Sequence, residues 1–326
     1  MGLGVGELLT RPSTQALLLR LATSERLERT VKSLPRGEAT AWRAASRYVA
    51  GRSRHEALGT AAELLEQGHG VSIDLFGEQV RDPATADGVL EQYLELADAL
   101  PPPPADVWLS VDLSHLALDA DPSAVADRLA AIAQALPPGR RVQVGAEDAA
   151  RADAILTCVT DVAARGFADR LGATVQANLL RSQADADTLI GAGVHVRLVK
   201  GAYVESTGAR ALGEPTDIAF LRLGFRLARS GASWSMATHD GRLREALLLA
   251  FGTVPVEQLL GVRPELLDDL HQRLIPTRVY VPYGPDWFRY WMRRVAESRR
   301  TQCSARHLQR LQSIRGLVEE TLSSSR

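Results

Sequence analysis

At 326 residues the chain is long enough for two average domains or for one large α/β barrel, which takes about 250 residues. Its 45% hydrophobic and 24% charged content excludes disorder, collagen and coiled-coil character for the bulk of the sequence. Thirty-eight Lys and Arg against thirty-nine Asp and Glu leave a net charge of −1, so no overall field draws the chain to nucleic acid or to an anionic membrane.

Residues 1–68 read as helical, because Leu8, Leu9, Leu17, Leu18, Leu21, Leu27, Val31 and Leu34 recur as apolar faces between Arg and Glu. This predicts an N-terminal helical arm. Glu7 and Arg11 interrupt the apolar residues at the start, so neither a signal peptide nor a spanning helix is expected. Cys158 and Cys303 are too few for a disulfide framework or a zinc ribbon and suit a reducing cytoplasm.

From residue 69 the pattern changes and repeats, with a short aliphatic or β-branched run, a loop and an Ala/Leu-rich helical stretch. Strands are predicted at 71–76, 107–113, 141–146, 173–179, 194–200, 234–238, 255–260 and 278–283. Helical segments follow nearly all of them, at 122–136, 148–166, 216–231, 241–252 and 285–298 among others. Alternating strands and helices at this count, over about 230 residues, match a (β/α)8 barrel better than a doubly wound sheet. The expected divisions are an arm at 1–68, a barrel at 69–300 and a helical tail at 301–326, with four prolines at 101–104 stiffening the approach to the second strand.

In such a barrel the chemistry lies at the C-terminal ends of the strands. Strand four ends near Gln176 and Asn178, strand five carries Arg197 and Lys200 before Gly201, and strand six runs into Thr238, His239 and Asp240. A lysine beside a glycine turn suits a phosphate, and a hydroxyl and imidazole after a strand can bind phosphate or ribose oxygens. No second His or Cys stands near His239 at ligand spacing, so no metal site is expected. After strand eight, Tyr290 precedes Arg293 and Arg294 by three and four residues, and Glu297 follows them by four and three. These side chains form one helical strip, in which two guanidiniums could grip a carboxylate while the tyrosine covers an apolar ring.

The motifs SIDLFGE (72–78), RLVKGAY (197–203), ATHD (237–240), GVRPELL (261–267) and RVYVPYG with Y..RR.AE (278–297) resemble, in this order, the proline dehydrogenase family. The resemblance implies a distorted (β/α)8 barrel with its eighth helix over the mouth and noncovalently bound FAD. It implies hydride transfer from the carbon beside the secondary amine of L-proline to flavin N5, yielding the cyclic imine, with a quinone or similar acceptor taking the electrons. By position, Arg197 resembles the arginine near flavin N5 and Gln176 the glutamine touching the isoalloxazine. Ala146, Lys200, Gly201, Ala202, Thr238 and His239 match other cofactor-binding positions. Arg293 and Arg294 match the pair on the substrate carboxylate, Glu297 their partner, and Tyr280 and Tyr290 the walls around the proline ring. A quinone acceptor would imply transient membrane contact by an otherwise cytoplasmic protein, and the oligomeric state stays open.

The chain also departs from the family pattern. Asp112 stands where strand two usually ends in lysine, Gly145 where strand three carries aspartate, Asn178 where a tyrosine follows the glutamine, and Glu257 where strand seven has glutamine. An aspartate for a lysine puts repulsion where a carboxylate should sit, and one unit-charge interaction at close range is worth about 4 kcal/mol at an effective dielectric of about 20. Asp112 is therefore expected either to pair with Arg293 or Arg294 or to meet a different substrate. Two alternatives to a working proline dehydrogenase follow. One is a relative that oxidises another cyclic or secondary amine, such as a proline derivative, and the other is a non-catalytic flavin-binding protein.

Overall fold

The computed structural model describes residues 25–33, 36–77, 79–201, 203, 205, 207–292 and 294. The chain divides into two compact units, Val49–Pro285 and a second made of Met1–Tyr48 with Asp286–Arg326. The second unit contains α1 (Glu25–Ser33), α2 (Gly37–Ala45) and helical residues 287–292. Trp42 meets the edge of Trp287 at 5.0 Å, and Arg289 lies 3.5 Å from Glu28.

The larger unit is a closed barrel of eight parallel strands paired in sequence order. They are β1 (Gly70–Leu75), β2 (Val107–Val111), β3 (Val142–Val144), β4 (Leu171–Gln176), β5 (His195–Val199), β6 (Trp234–Ala237), β7 (Val256–Leu259) and β8 (Thr277–Tyr283), with β1 closing on β8. All eight lie where the sequence places them. Several end one to three residues early, which leaves Asp112, Ala146, Asn178, Lys200 and Thr238 in the loops just past the strands.

The helices of this unit are α3 (Arg54–Glu66), α4 (Pro83–Asp98), α5 (Pro122–Ala135), α6 (Ala152–Val162), α7 (Ser182–Gly191), α8 (Glu214–Ser230), α9 (Gly241–Phe251) and α10 (Glu265–Gln272). Local chemistry starts them. Asp82, Asp121 and Asp240 each accept a backbone N–H of the helix that follows, and Ser53 and Glu56 form a reciprocal capping box on α3. The sequence puts α3 in the N-terminal arm, but Ala57, Ala61 and Leu64 join the barrel's apolar core. The helix expected over 148–166 is shorter. Asp148 holds a turn at Arg151, and the far end loosens through a π turn to Gly166 at φ 97°.

Strand alternation divides the unit into an apolar shell and a polar lumen. Val71, Ile73, Leu75, Leu109, Val111, Val196, Leu198, Val279 and Val281 belong to the core cluster packed under the helices. The intervening residues are Ser72, Asp74, Ser110, Gln143, Gln176, His195, Arg197, Ser235, Glu257 and Arg278, all buried. Branched aliphatic residues fill most barrels of this kind. Here charged and amide side chains fill it, so the interior needs internal partners for almost every group.

Candidate active site

The floor of the lumen is closed by Trp108. Arg278 stacks over its ring at 3.5 Å, Arg141 stands 5.1 Å from it, and His195 meets it edge-on at 5.0 Å. Arg278 is held bidentately by Asp106 at 2.6 Å. Burial pushes the Arg278 guanidinium below its ordinary value despite that carboxylate.

Above the floor, Arg197 forms an ion pair with Glu257 at 2.7 Å, with the two side chains only 8% and 3% exposed. Burial pushes the Glu257 carboxyl up, but Arg197, Arg278 and the Ser235 hydroxyl together outweigh it and leave the group below the usual carboxylate range. Gln176 donates its amide to the Glu147 carbonyl at 2.7 Å, while its Oε1, though buried, has no partner among the described residues. The same is true of Asn178 Oδ1 and Arg197 Nε. Unmade bonds of this kind inside a low-dielectric site are the ones a polar heterocycle can complete.

Lys200 lies past the end of β5, where it pairs with Asp217 and, at 3.3 Å, with Asp240. Gly201 follows at φ 105°, a conformation only glycine takes readily, and a Cβ there would meet the Asn178 side chain. Thr238 Oγ1 accepts from Asp240 N at 3.1 Å, and Leu259 N donates to His239 Nε2 at 3.3 Å. That bond assigns the proton of neutral His239 to Nδ1. Asp240 also caps α9 through Arg242 N.

On the opposite wall, Tyr280 donates its hydroxyl to Asp74, which also receives Tyr93 OH at 3.3 Å. Burial, followed by the charge of Asp74, holds the Tyr93 phenol well above its ordinary value. Asp112 lies just beyond β2. A Cβ built on Gly145 would fall 1.9 Å from Asp112 Oδ1. The carboxylate of Asp112 therefore occupies the room that a side chain at 145 would take. The two positions at which the sequence departs from the family pattern on strands two and three thus adjoin in space. Ala146 and Glu147 follow on the next loop, where Glu147 accepts Ser114 N at 2.9 Å and burial raises its carboxyl.

The larger unit thus holds Asp112, Ala146, Gln176, Lys200, Gly201, Thr238 and His239 at or just past the C-terminal ends of its strands, with Arg197 and Tyr280 in the middle of β5 and β8. Tyr290 and Arg294 belong to the other unit, where the guanidinium sits 4.9 Å over the tyrosine ring, as the helical strip predicts. Ala202, Arg293 and Glu297 lie outside the described residues, and with them the pairing of Asp112 with Arg293. Asp74, His195, Ser235 and Asp217 join the site without having stood out in the sequence, where Glu257 appears only as a departure. A polar residue at inward parity in an apolar strand was the available signal for the strand residues.

The chain matches the family model for proline dehydrogenase over residues 57–307. It is 30% identical over 271 residues to the proline dehydrogenase of Deinococcus radiodurans, which covers 79% of this chain and 87% of that protein. It is 32% identical over 262 residues to proline dehydrogenase 1 of Bacillus subtilis subsp. natto, covering 78% and 86%. Among solved structures, proline utilization A from Bdellovibrio bacteriovorus, inactivated by N-propargylglycine, superposes with a TM-score of 0.75 at 18% identity. That match covers 90% of this chain and 38% of the longer protein, and it carries the fold alone.

Proposed function

The chain belongs to the proline dehydrogenase family, and from that premise we propose that it oxidises L-proline to 1-pyrroline-5-carboxylate with FAD bound at the barrel mouth. Membership makes it an oxidoreductase acting on CH–NH groups. FAD, when bound, supplies the acceptor for the hydride that leaves the carbon beside the amine. A quinone or similar acceptor then takes the electrons, which would bring the protein into transient contact with a membrane. No helix among the described residues is long and apolar enough to cross one.

The observation that carries the cofactor reading is the set of buried acceptors and donors without partners, Gln176 Oε1, Asn178 Oδ1 and Arg197 Nε, around one strand-end mouth. In this reading Gln176 and Arg197 hold the isoalloxazine. Ala146, Lys200, Gly201, Ala202, Thr238 and His239 hold the remainder, and Lys200 must share its charge between the diphosphate and its two aspartates. Tyr280 and Tyr290 wall the ring, Arg293 and Arg294 bind the carboxylate, and Glu297 orients an arginine. Loss of a hydride and of the amine proton together leaves the neutral cyclic imine, so the chain's task is to bind, align and shield.

A second reading follows from Asp112, whose carboxylate fills the space beside Gly145. A negative group there favours a cyclic amine whose corresponding position is neutral or cationic. Reduction of the bound flavin under anaerobic conditions by L-proline, compared with other cyclic amines, separates the two.

A further inference from the structure

We propose that Glu257 is a positioning residue for Arg197, and that its charge sets the electrostatic balance beside the cofactor. The inference rests on the reading that Arg197 faces a bound flavin. Its basis is a hydrogen-bonded chain through the lumen from Ser233, just before β6, to Glu257, and an ion pair that joins Glu257 to the guanidinium.

The direction of that chain follows from chemistry. A carboxylate only accepts, so Ser235 must donate its proton to Glu257 Oε1, 2.5 Å away. The hydroxyl oxygen then accepts from His195 Nε2 at 3.1 Å, and His195 Nδ1 accepts from the Ser233 hydroxyl at 2.8 Å. This places a proton on Nε2, and a neutral ring leaves Nδ1 as the acceptor. Burial supports this by pushing its pKa down to about 3. The far end of the chain is the 2.7 Å ion pair between Glu257 and Arg197.

Glu257 also feels Arg278, but that arginine is already committed to Asp106 and to the Trp108 ring. Arg197 has no second carboxylate partner among the described residues. Removing one member of a buried pair leaves the other charge uncompensated, so the two act as a unit. A neutral amide at 257 offers one acceptor where the carboxylate offers two, and it carries no charge to balance the guanidinium. With Glu257 ionised, Arg197 contributes orientation and donors with its field largely cancelled. Without it, a full positive charge faces the cofactor and stabilises the electron-rich reduced form.

The test is the two-electron midpoint potential of the flavin-loaded protein, measured by dye equilibration for wild type, Glu257→Gln and Ser235→Ala. Glu257→Gln is expected to shift the reduction equilibrium at least tenfold toward the reduced form, about 30 mV more positive for a two-electron couple. Ser235→Ala keeps the charge and loses one bond, so a smaller shift of the same sign is expected. Should Glu257→Gln fail to fold or to hold flavin, Ser235→Ala decides alone. A wild-type potential in each flavin-retaining variant overturns the proposal. A wild-type protein that binds no flavin overturns the cofactor reading and this inference with it, an outcome distinct from an unmoved potential.

Discussion

Asp112 and Gly145 share one space. The carboxylate of Asp112 fills the room that a side chain at 145 would take, which sets a negative charge on this wall. If L-proline is the substrate, that charge opposes its carboxylate. Asp112→Lys should therefore raise kcat/KM for L-proline by tenfold or more, a modest share of the roughly 4 kcal/mol that one close charge pair is worth at an effective dielectric of about 20. Steady-state kinetics checks this, and a fall in kcat/KM would mean that Asp112 instead balances an arginine. Gln176 and Lys200 could be read from the sequence because they stand at strand ends, and Arg197 because it stands within a motif. Glu257 could be seen there only as a departure. Its partner is 60 positions away by number, on a strand two places round the barrel, and only closure brings the two together.

The eight strands could be read because each is a short aliphatic run bounded by loops, and the helices because Ala/Leu periodicity follows them. Their ends were less accessible, since propensity does not say where inter-strand pairing stops. The β6–α9 connection illustrates what sits at such an end. Asp240 both caps α9 through Arg242 N and pairs with Lys200, while Thr238 accepts Asp240 N. Asp240→Ala should cost about 1 kcal/mol through the lost cap, and Asp240→Asn should recover most of it because asparagine caps as well. Chemical denaturation checks this. Equal losses in the two variants would assign the stabilisation to the Lys200 pair instead.

For the molecule as a whole, the notable feature is a barrel filled with polar groups whose balance depends on which are charged. His115 and His195 are buried and neutral, with burial lowering them to about 4 and about 3. The unfolded chain binds protons on both near pH 6.5, while the folded barrel does not. Stability contributed by these histidines is therefore complete above pH 6.5. It is lost as pH falls toward 4 and then 3, by up to about 1.4 kcal/mol per pH unit for each. Unfolding free energy should decline from pH 6.5 to pH 5, and His115→Leu should flatten that slope; an unchanged slope would contradict the assignment.

The near-neutral net charge conceals this interior, in which Arg197, Glu257, Arg278 and Asp106 compensate one another across strands. Anaerobic mixing of the purified, flavin-loaded protein with L-proline, with the flavin absorbance followed, decides whether L-proline is oxidised here. The oxidised flavin band should bleach as the cyclic imine forms. A flavin that dithionite reduces, but that L-proline at high concentration leaves oxidised, would contradict it.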